Sequence, residues 1–146
     1  MIIEMNMKDT VGYMLAQVCK LHRKRADELL TEIGLHVGQE MILVMLQDNE
    51  GITQTELAEC MMIQPPTLTN SLKRLEREGF VMRRPDLDDQ RVSRVHMTQK
   101  GHDLMATVNE TWSRLEEESF TGFSLEERVL LRRLLIQTCQ NLAGKM

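Results

Sequence analysis

From Pro66 to Arg77 the chain sets Pro66, Thr69, Asn70, Lys73, Arg74 and Arg77 at helical spacing around one side. Leu68, Leu72 and Leu75 fall together on the other. Threonine and asparagine near a helix N-terminus suit hydrogen bonding to base edges. Lysine and arginine further along suit phosphate or guanine. Such a set recognises a surface; it makes and breaks no bonds. Thr53 and Gln54, at the start of the preceding helical stretch, join the same DNA-facing candidates. A second group follows in Asp89, Arg91 and Arg94. Arg91 suits a minor groove or a phosphate, and Arg94 adds a second positive charge. Asp89 lies two residues before Arg91, within reach of its guanidinium. Both groups also have a plainer reading. The first is the solvated face of any amphipathic helix, and the second is a surface hairpin with an ordinary salt bridge.

The surrounding elements decide between these readings. Thr53-Gln54-Thr55-Glu56 has the capping-box form and predicts a helix to about Met61. Pro65-Pro66 opens the next, which runs to Glu78 and closes at Gly79. The period then changes. Residues 80–84 and 91–97 predict two strands of a hairpin around the turn-rich 85–90 loop. Helix, turn, helix and hairpin make a winged helix. Before it, Thr10 caps a long helix ending at Gly34, and Val37 to Leu46 predicts a short helix apolar all round, hence buried. After it, Thr98 caps a helix to about Ser119, and Ser124 with Glu127 caps a last one ending near Gly144. The fold class is mainly α with a small β-hairpin wing. We expect one continuous domain in three parts: a first helix over 1–36, the winged helix-turn-helix over 37–100, and the terminal helices over 101–146.

Composition narrows the function. The chain has 146 residues, 42% hydrophobic and 27% charged, which suits one globular domain. Aromatics at 3% and 12 methionines favour helices over a β-sandwich. No apolar run approaches the ~18 residues of a membrane span, and no secretory signal opens the chain, so a cytoplasmic protein with no membrane partner is expected. The net charge is −4, yet residues 73–100 carry +3. A basic segment on an acidic body fits one polyanion-facing surface, and equally a solvated helix and loop. There is no nucleophile–base pair, phosphate-cradling glycine loop or metal-ligand spacing, so neither an enzyme nor a cofactor is expected.

At this point the sequence resembles the MarR family of bacterial transcription regulators. The likeness lies in Glu56-Leu57-Ala58, in Thr67-Leu68-Thr69 through Leu75-Glu76 to Gly79, and in Asp89-Gln90-Arg91 through Thr98 to Gly101. The flanking helices follow the family layout, so the resemblance spans nearly the whole chain. It implies a homodimer with interleaved terminal helices, two winged helices on a palindrome of double-stranded DNA, and control by a small-molecule effector or an oxidant. Carried over by position, Thr67, Thr69, Asn70 and Arg74 would meet the major groove. Arg91 would be the wing-tip arginine, with Asp89 as its support. Met62 stands where the turn often has glycine, Pro65-Pro66 replaces a polar opening, and Asn70 stands where arginine is common.

The remaining expectations concern partners. The apolar run from Val129 to Leu142 exceeds one helix face and predicts a second chain. Tyr13, Gln17, His22, His36 and Trp112 are candidates to line an effector cavity, or else polar surface and packed core. Cys19 lies in the first helix but about two turns from where an oxidant-sensing thiol is expected, so an inert, apolar-lined cysteine is the stronger reading. Cys60 and Cys139 are expected to pack. The leading function is therefore a DNA-binding repressor. The alternatives are a thiol-based oxidant sensor and a winged helix that contacts protein.

Overall fold

The computed structural model describes residues 5–145. A short 3-10 turn, Met7–Asp9, precedes six helices and one hairpin: α1 Val11–Glu32, α2 Gln39–Asp48, α3 Gln54–Met61, α4 Pro65–Arg77, β1 Val81–Pro85, β2 Ser93–Met97, α5 Gln99–Ser119 and α6 Leu125–Ala143. The chain falls into two compact units, residues 1–112 and 113–146. The division cuts α5, which is therefore shared.

The first unit is built around leucines at helical spacing. Leu29 and Leu30 of α1, Leu43 and Leu46 of α2, Leu57 of α3, and Leu68, Leu72 and Leu75 of α4 are all closed to solvent. Val81, Val95 and Met97 bring the inner face of the hairpin into the same core. Thr53 caps α3 with the reciprocal bonds expected: its hydroxyl accepts from the Glu56 N–H, and the Glu56 carboxylate accepts from the Thr53 N–H. Between α3 and α4 the backbone of Met62 takes φ 53°, ψ 42°, and it is the only non-glycine with positive φ among the described residues. This left-handed residue turns the chain so that Pro65 can open α4, as the sequence predicts.

Two expectations need correction. The helix predicted over 37–46 is not buried all round: α2 begins at Gln39, and Met41 on it is 44% exposed. The second strand starts at Ser93 rather than Arg91. Asp86 N–H donates to Val92 O, and Val92 N–H donates to Asp89 O, so residues 86–92 close a tight loop and Arg91 belongs to it.

The hairpin is antiparallel, with Val81 opposite Met97 and Pro85 opposite Ser93. It also has a third edge. Val95 N–H donates to Ile52 O, Gly51 N–H donates to Val95 O, and Thr53 bridges Arg94. The start of α3 is thereby tied to the wing. At the opposite end, α5 holds the end of α4. The Lys100 ammonium donates to Glu78 O at 2.6 Å, and the Thr98 hydroxyl donates to Gly79 O at 2.6 Å. Gly101 lies so close that a Cβ there would stand 2.3 Å from Phe80 O and 2.5 Å from Met97 Cγ.

In the second unit, Ser124 and Glu127 form the capping box of α6. Arg128 donates to the Glu117 carboxylate and to Phe120 O, and the rings of Phe120 and Phe123 meet edge to face. No residue of α6 is buried within the single chain. Leu125, Val129, Leu130, Leu134, Leu135, Ile136 and Leu142 are all exposed. A cavity of about 650 Å³ opens along this unit, lined mainly by Phe120, Leu125, Val129, Leu131, Leu135 and Ile136.

Candidate nucleic-acid interface

The leucine back of α4 fixes what its front can present. With Leu68, Leu72 and Leu75 fully buried, Thr67, Asn70, Lys73, Arg74 and Arg77 are exposed. Lys73, Arg74 and Arg77 make no ion pair among the described residues. Thr67 and Asn70 likewise have no side-chain hydrogen bond there. This face is a row of donors and positive charges open to solvent.

Thr69 differs from its neighbours. Its hydroxyl donates to Pro65 O, one turn back, at 3.0 Å and accepts from Gln54 Nε2 at 2.8 Å. Gln54, the first residue of α3, is thus bound to α4. Thr53, the cap itself, is half-buried, with its hydroxyl occupied by the α3 backbone.

The wing is held by three ion pairs. The Asp89 carboxylate accepts from Nε and Nη2 of Arg91, whose side chain is 92% exposed. The Arg91 hydrogen bonds hold the Asp89 carboxyl below the usual carboxylate range. Asp86 sits at the centre of the loop. One oxygen accepts from Arg94 Nε, and the other accepts from the N–H groups of Asp88 and Asp89. The Arg94 bond, then the two backbone bonds, depress its carboxyl too. Arg94 also donates to Gly51 O at 2.8 Å, so it joins the loop to the segment that leads into α3. At the base of the wing Arg83 donates to Glu76 of α4 at 2.8 Å, which lowers the Glu76 carboxyl.

The geometry gathers Thr67, Asn70, Lys73, Arg74 and Arg77 on one open face and sets Arg91 at the tip of the wing, with Asp89 beside it. Thr53, Gln54, Thr69 and Arg94 lie at the joints of that lobe, with their polar groups already bonded. Four residues escaped the sequence reading. Asp86 organises the loop, and its Asx-turn bonds to residues two and three ahead are the signal. Arg83 and Glu76 needed the packing of β1 on α4 to be seen. Arg84 is exposed without a partner among the described residues and lines, with Gln90 and Arg91, a shallow cavity of about 350 Å³.

Of the effector candidates, His22 and Trp112 meet, with ring centroids 5.7 Å apart. Tyr13 and Gln17 are half-buried and His36 is exposed. None of the five lines either cavity above. The cysteines depart from expectation: Cys19, Cys60 and Cys139 are all exposed in the single chain. Cys139 lines the cavity along α6 beside Leu135 and Ile136. No group of His, Cys, Asp and Glu among the described residues is arranged to hold a metal ion. No described helix is long and apolar enough to cross a membrane.

The same architecture recurs in known proteins. The MarR family model matches residues 35–93, from the loop before α2 to the start of β2. An uncharacterised HTH-type transcriptional regulator, YwoH of Bacillus subtilis (strain 168), is 30% identical over 116 residues, covering 80% of this chain and 84% of its own. The HTH-type transcriptional repressor IacR of Pseudomonas putida is 27% identical over 139 residues, covering 95% and 83%. A crystal structure of MarR superposes with a TM-score of 0.84 at 26% identity, over 97% of this chain and 99% of that one. A leucine-backed helix with an open cationic front, a carboxylate-braced wing and these likenesses converge on one answer: the chain belongs to the MarR family of DNA-binding, winged helix-turn-helix transcriptional regulators.

Proposed function

We propose that the protein is a homodimeric repressor that grips a palindromic operator with α4 and the wing and leaves it when a small molecule binds. The observation that carries this reading is the front of α4, where three cations with no carboxylate partner among the described residues stand on a helix whose back is locked into the core. Such a helix fits the major groove, which is about 12 Å wide in B-DNA. Asn70 is the polar reader there, since its amide suits the N6 and N7 edge of adenine. Lys73, Arg74 and Arg77 supply phosphate contacts or reach guanine, with Thr67 near the helix start. Arg91 extends the grip from the wing, and Asp89 aims it. Thr53, Gln54, Thr69 and Arg94 complete the lobe. Repression is the role named for IacR. A regulator of this kind acts in the cytoplasm and catalyses no reaction.

The dimer rests on apolar surface with no cover in the single chain. On α1, Val11, Met14, Val18 and Leu21 form an exposed stripe at the heptad-like spacing of a helix seam. On α6, seven exposed large apolar residues do the same more broadly. A second copy is the partner proposed for both. The effector is assigned to the neighbourhood of His22 and Trp112, with Tyr13, Gln17 and His36 as further candidates.

The test is a gel shift on duplex DNA from around the gene itself, over a salt series. Wild type is expected to bind with a steep salt dependence. Arg91→Ala is expected to weaken all sequences and to flatten the slope of log K against log salt by about one unit. Absence of binding at low salt would return the winged helix to a protein-contact role.

A further inference from the structure

We infer that Thr69 reads thymine through its methyl group, because the proton of its hydroxyl is held within the protein. The inference rests on the reading that α4 enters the major groove. A threonine hydroxyl has one proton to donate. Here that proton goes to Pro65 O at 3.0 Å. The same oxygen accepts from Gln54 Nε2 at 2.8 Å. Two bonds from two elements, one within α4 and one from the first residue of α3, fix the oxygen in place. Thr69 therefore has no hydrogen to offer the acceptors of the major groove, namely guanine N7 and O6, adenine N7 and thymine O4. Apart from one remaining lone pair on that fixed oxygen, its uncommitted part is the methyl. In the major groove the apolar counterpart of a methyl is the C5-methyl of thymine.

The contrast with its neighbours sharpens the assignment. Thr67 and Asn70 are exposed with their polar groups unengaged among the described residues, while Thr69 is half-buried. Three polar positions around one helix front thus divide the work: two hydrogen-bond and one makes apolar contact. Gln54 is the positioning residue. It carries no base contact itself but holds the Thr69 oxygen away from the groove, so the shape of the reader depends on the joint between α3 and α4.

The experiment uses the full-length protein and a duplex it enriches from a random pool. Each thymine of one half-site is replaced singly by deoxyuridine, which lacks only the methyl. Affinity is measured for wild type, Thr69→Val, which keeps a methyl and loses the hydroxyl, and Thr69→Ser, which keeps the hydroxyl and loses the methyl. Circular dichroism checks that each variant folds. We expect one thymine whose replacement weakens wild type about fourfold, the effect of one buried methyl-sized group. Thr69→Val should keep that penalty, and Thr69→Ser should lose it. Enrichment with no methyl-sensitive thymine, a penalty that survives in Thr69→Ser, or one that vanishes in Thr69→Val would each overturn the inference while leaving DNA reading by α4 intact. No enrichment of any sequence by wild type would overturn the DNA reading itself, and the inference with it.

Discussion

At the scale of single residues, the backbone of Met62 sets a local cost. A side chain in the left-handed region costs roughly 1–2 kcal/mol. Met62 is 71% exposed, so its side chain returns little through burial. Glycine adopts the same backbone freely but loses about 0.5–1 kcal/mol more chain entropy on folding. Met62→Gly should therefore stabilise the fold by about 0.5–1 kcal/mol, read as a higher urea midpoint with an unchanged m-value. An unchanged or lower midpoint would show that the methionine makes a compensating contact. The family resemblance marks this position, because methionine stands where the family's turn often has glycine.

Glu40 gives a second prediction at this scale, and its sign is opposite to that of the wing carboxylates. It is 2% exposed, its oxygen accepts from Gly38 N–H at 2.8 Å, and burial pushes its carboxyl above the usual value of 4.5. A raised folded-state pKa means that its contribution is fully present below the unfolded value and is lost as pH rises through the folded one. Glu76, Asp86 and Asp89 are depressed, so theirs is present above the unfolded value and lost as pH falls through the folded one. Glu40→Gln should therefore gain on wild type as pH rises from 4.5, in denaturation curves compared over pH 4–7. A constant difference would place the Glu40 charge in contact with water. Nothing in the sequence singles out Glu40. It sits in the first turn of a helix where acids are common, and only the packing buries it.

At the scale of elements, the long helices and their caps were legible because each rests on a local signal. Thr10, Thr53 and Ser124 all cap as their spacing predicts. The joints were not legible, because they are made by residues far apart in sequence. Arg94 looks like a free wing cation and is bonded to Asp86 and to Gly51, 43 positions away. The start of α5 shows the same limit. Gly101 reads as a family-like position, but its reason is the hairpin base pressed against it. Gly101→Ala would drive a methyl against Phe80 O and Met97, and a backbone atom cannot swing aside. We expect a loss of about 1–3 kcal/mol, the usual range for an overfilled site, measured by urea unfolding. DNA affinity should fall as well, since Thr98 and Lys100 hold the end of α4 from the same turn. Wild-type stability in this variant would mean that the turn has room to shift.

At the scale of the whole molecule, the exposed apolar residues of α6 make the strongest demand. Replacing Leu130 and Leu134 by glutamate, both exposed in the single chain, should leave a soluble first unit but abolish self-association. Sedimentation should then show a single-chain mass. Wild-type thermal stability should rise with protein concentration, and that of the variant should not. A variant that still sediments as a dimer would move the interface elsewhere.

The division between paired and unpaired cations has a kinetic meaning. Arg83, Arg91 and Arg94 each face their own carboxylate, so beyond about 8–10 Å, the screening length near physiological salt, they project almost no field. Among the described residues, Lys73, Arg74 and Arg77 on α4 have no such mask, and neither does Arg84 on β1. They stand on a chain of net charge −4. The molecule should therefore approach DNA with α4 foremost, Arg84 of β1 adding its charge, and the masked wing tip at Arg91 should take hold only after landing. Neutralising Lys73 should slow arrival, and neutralising Arg91 should hasten departure. Timing, as well as tightness, would then be divided between the helix and the hairpin.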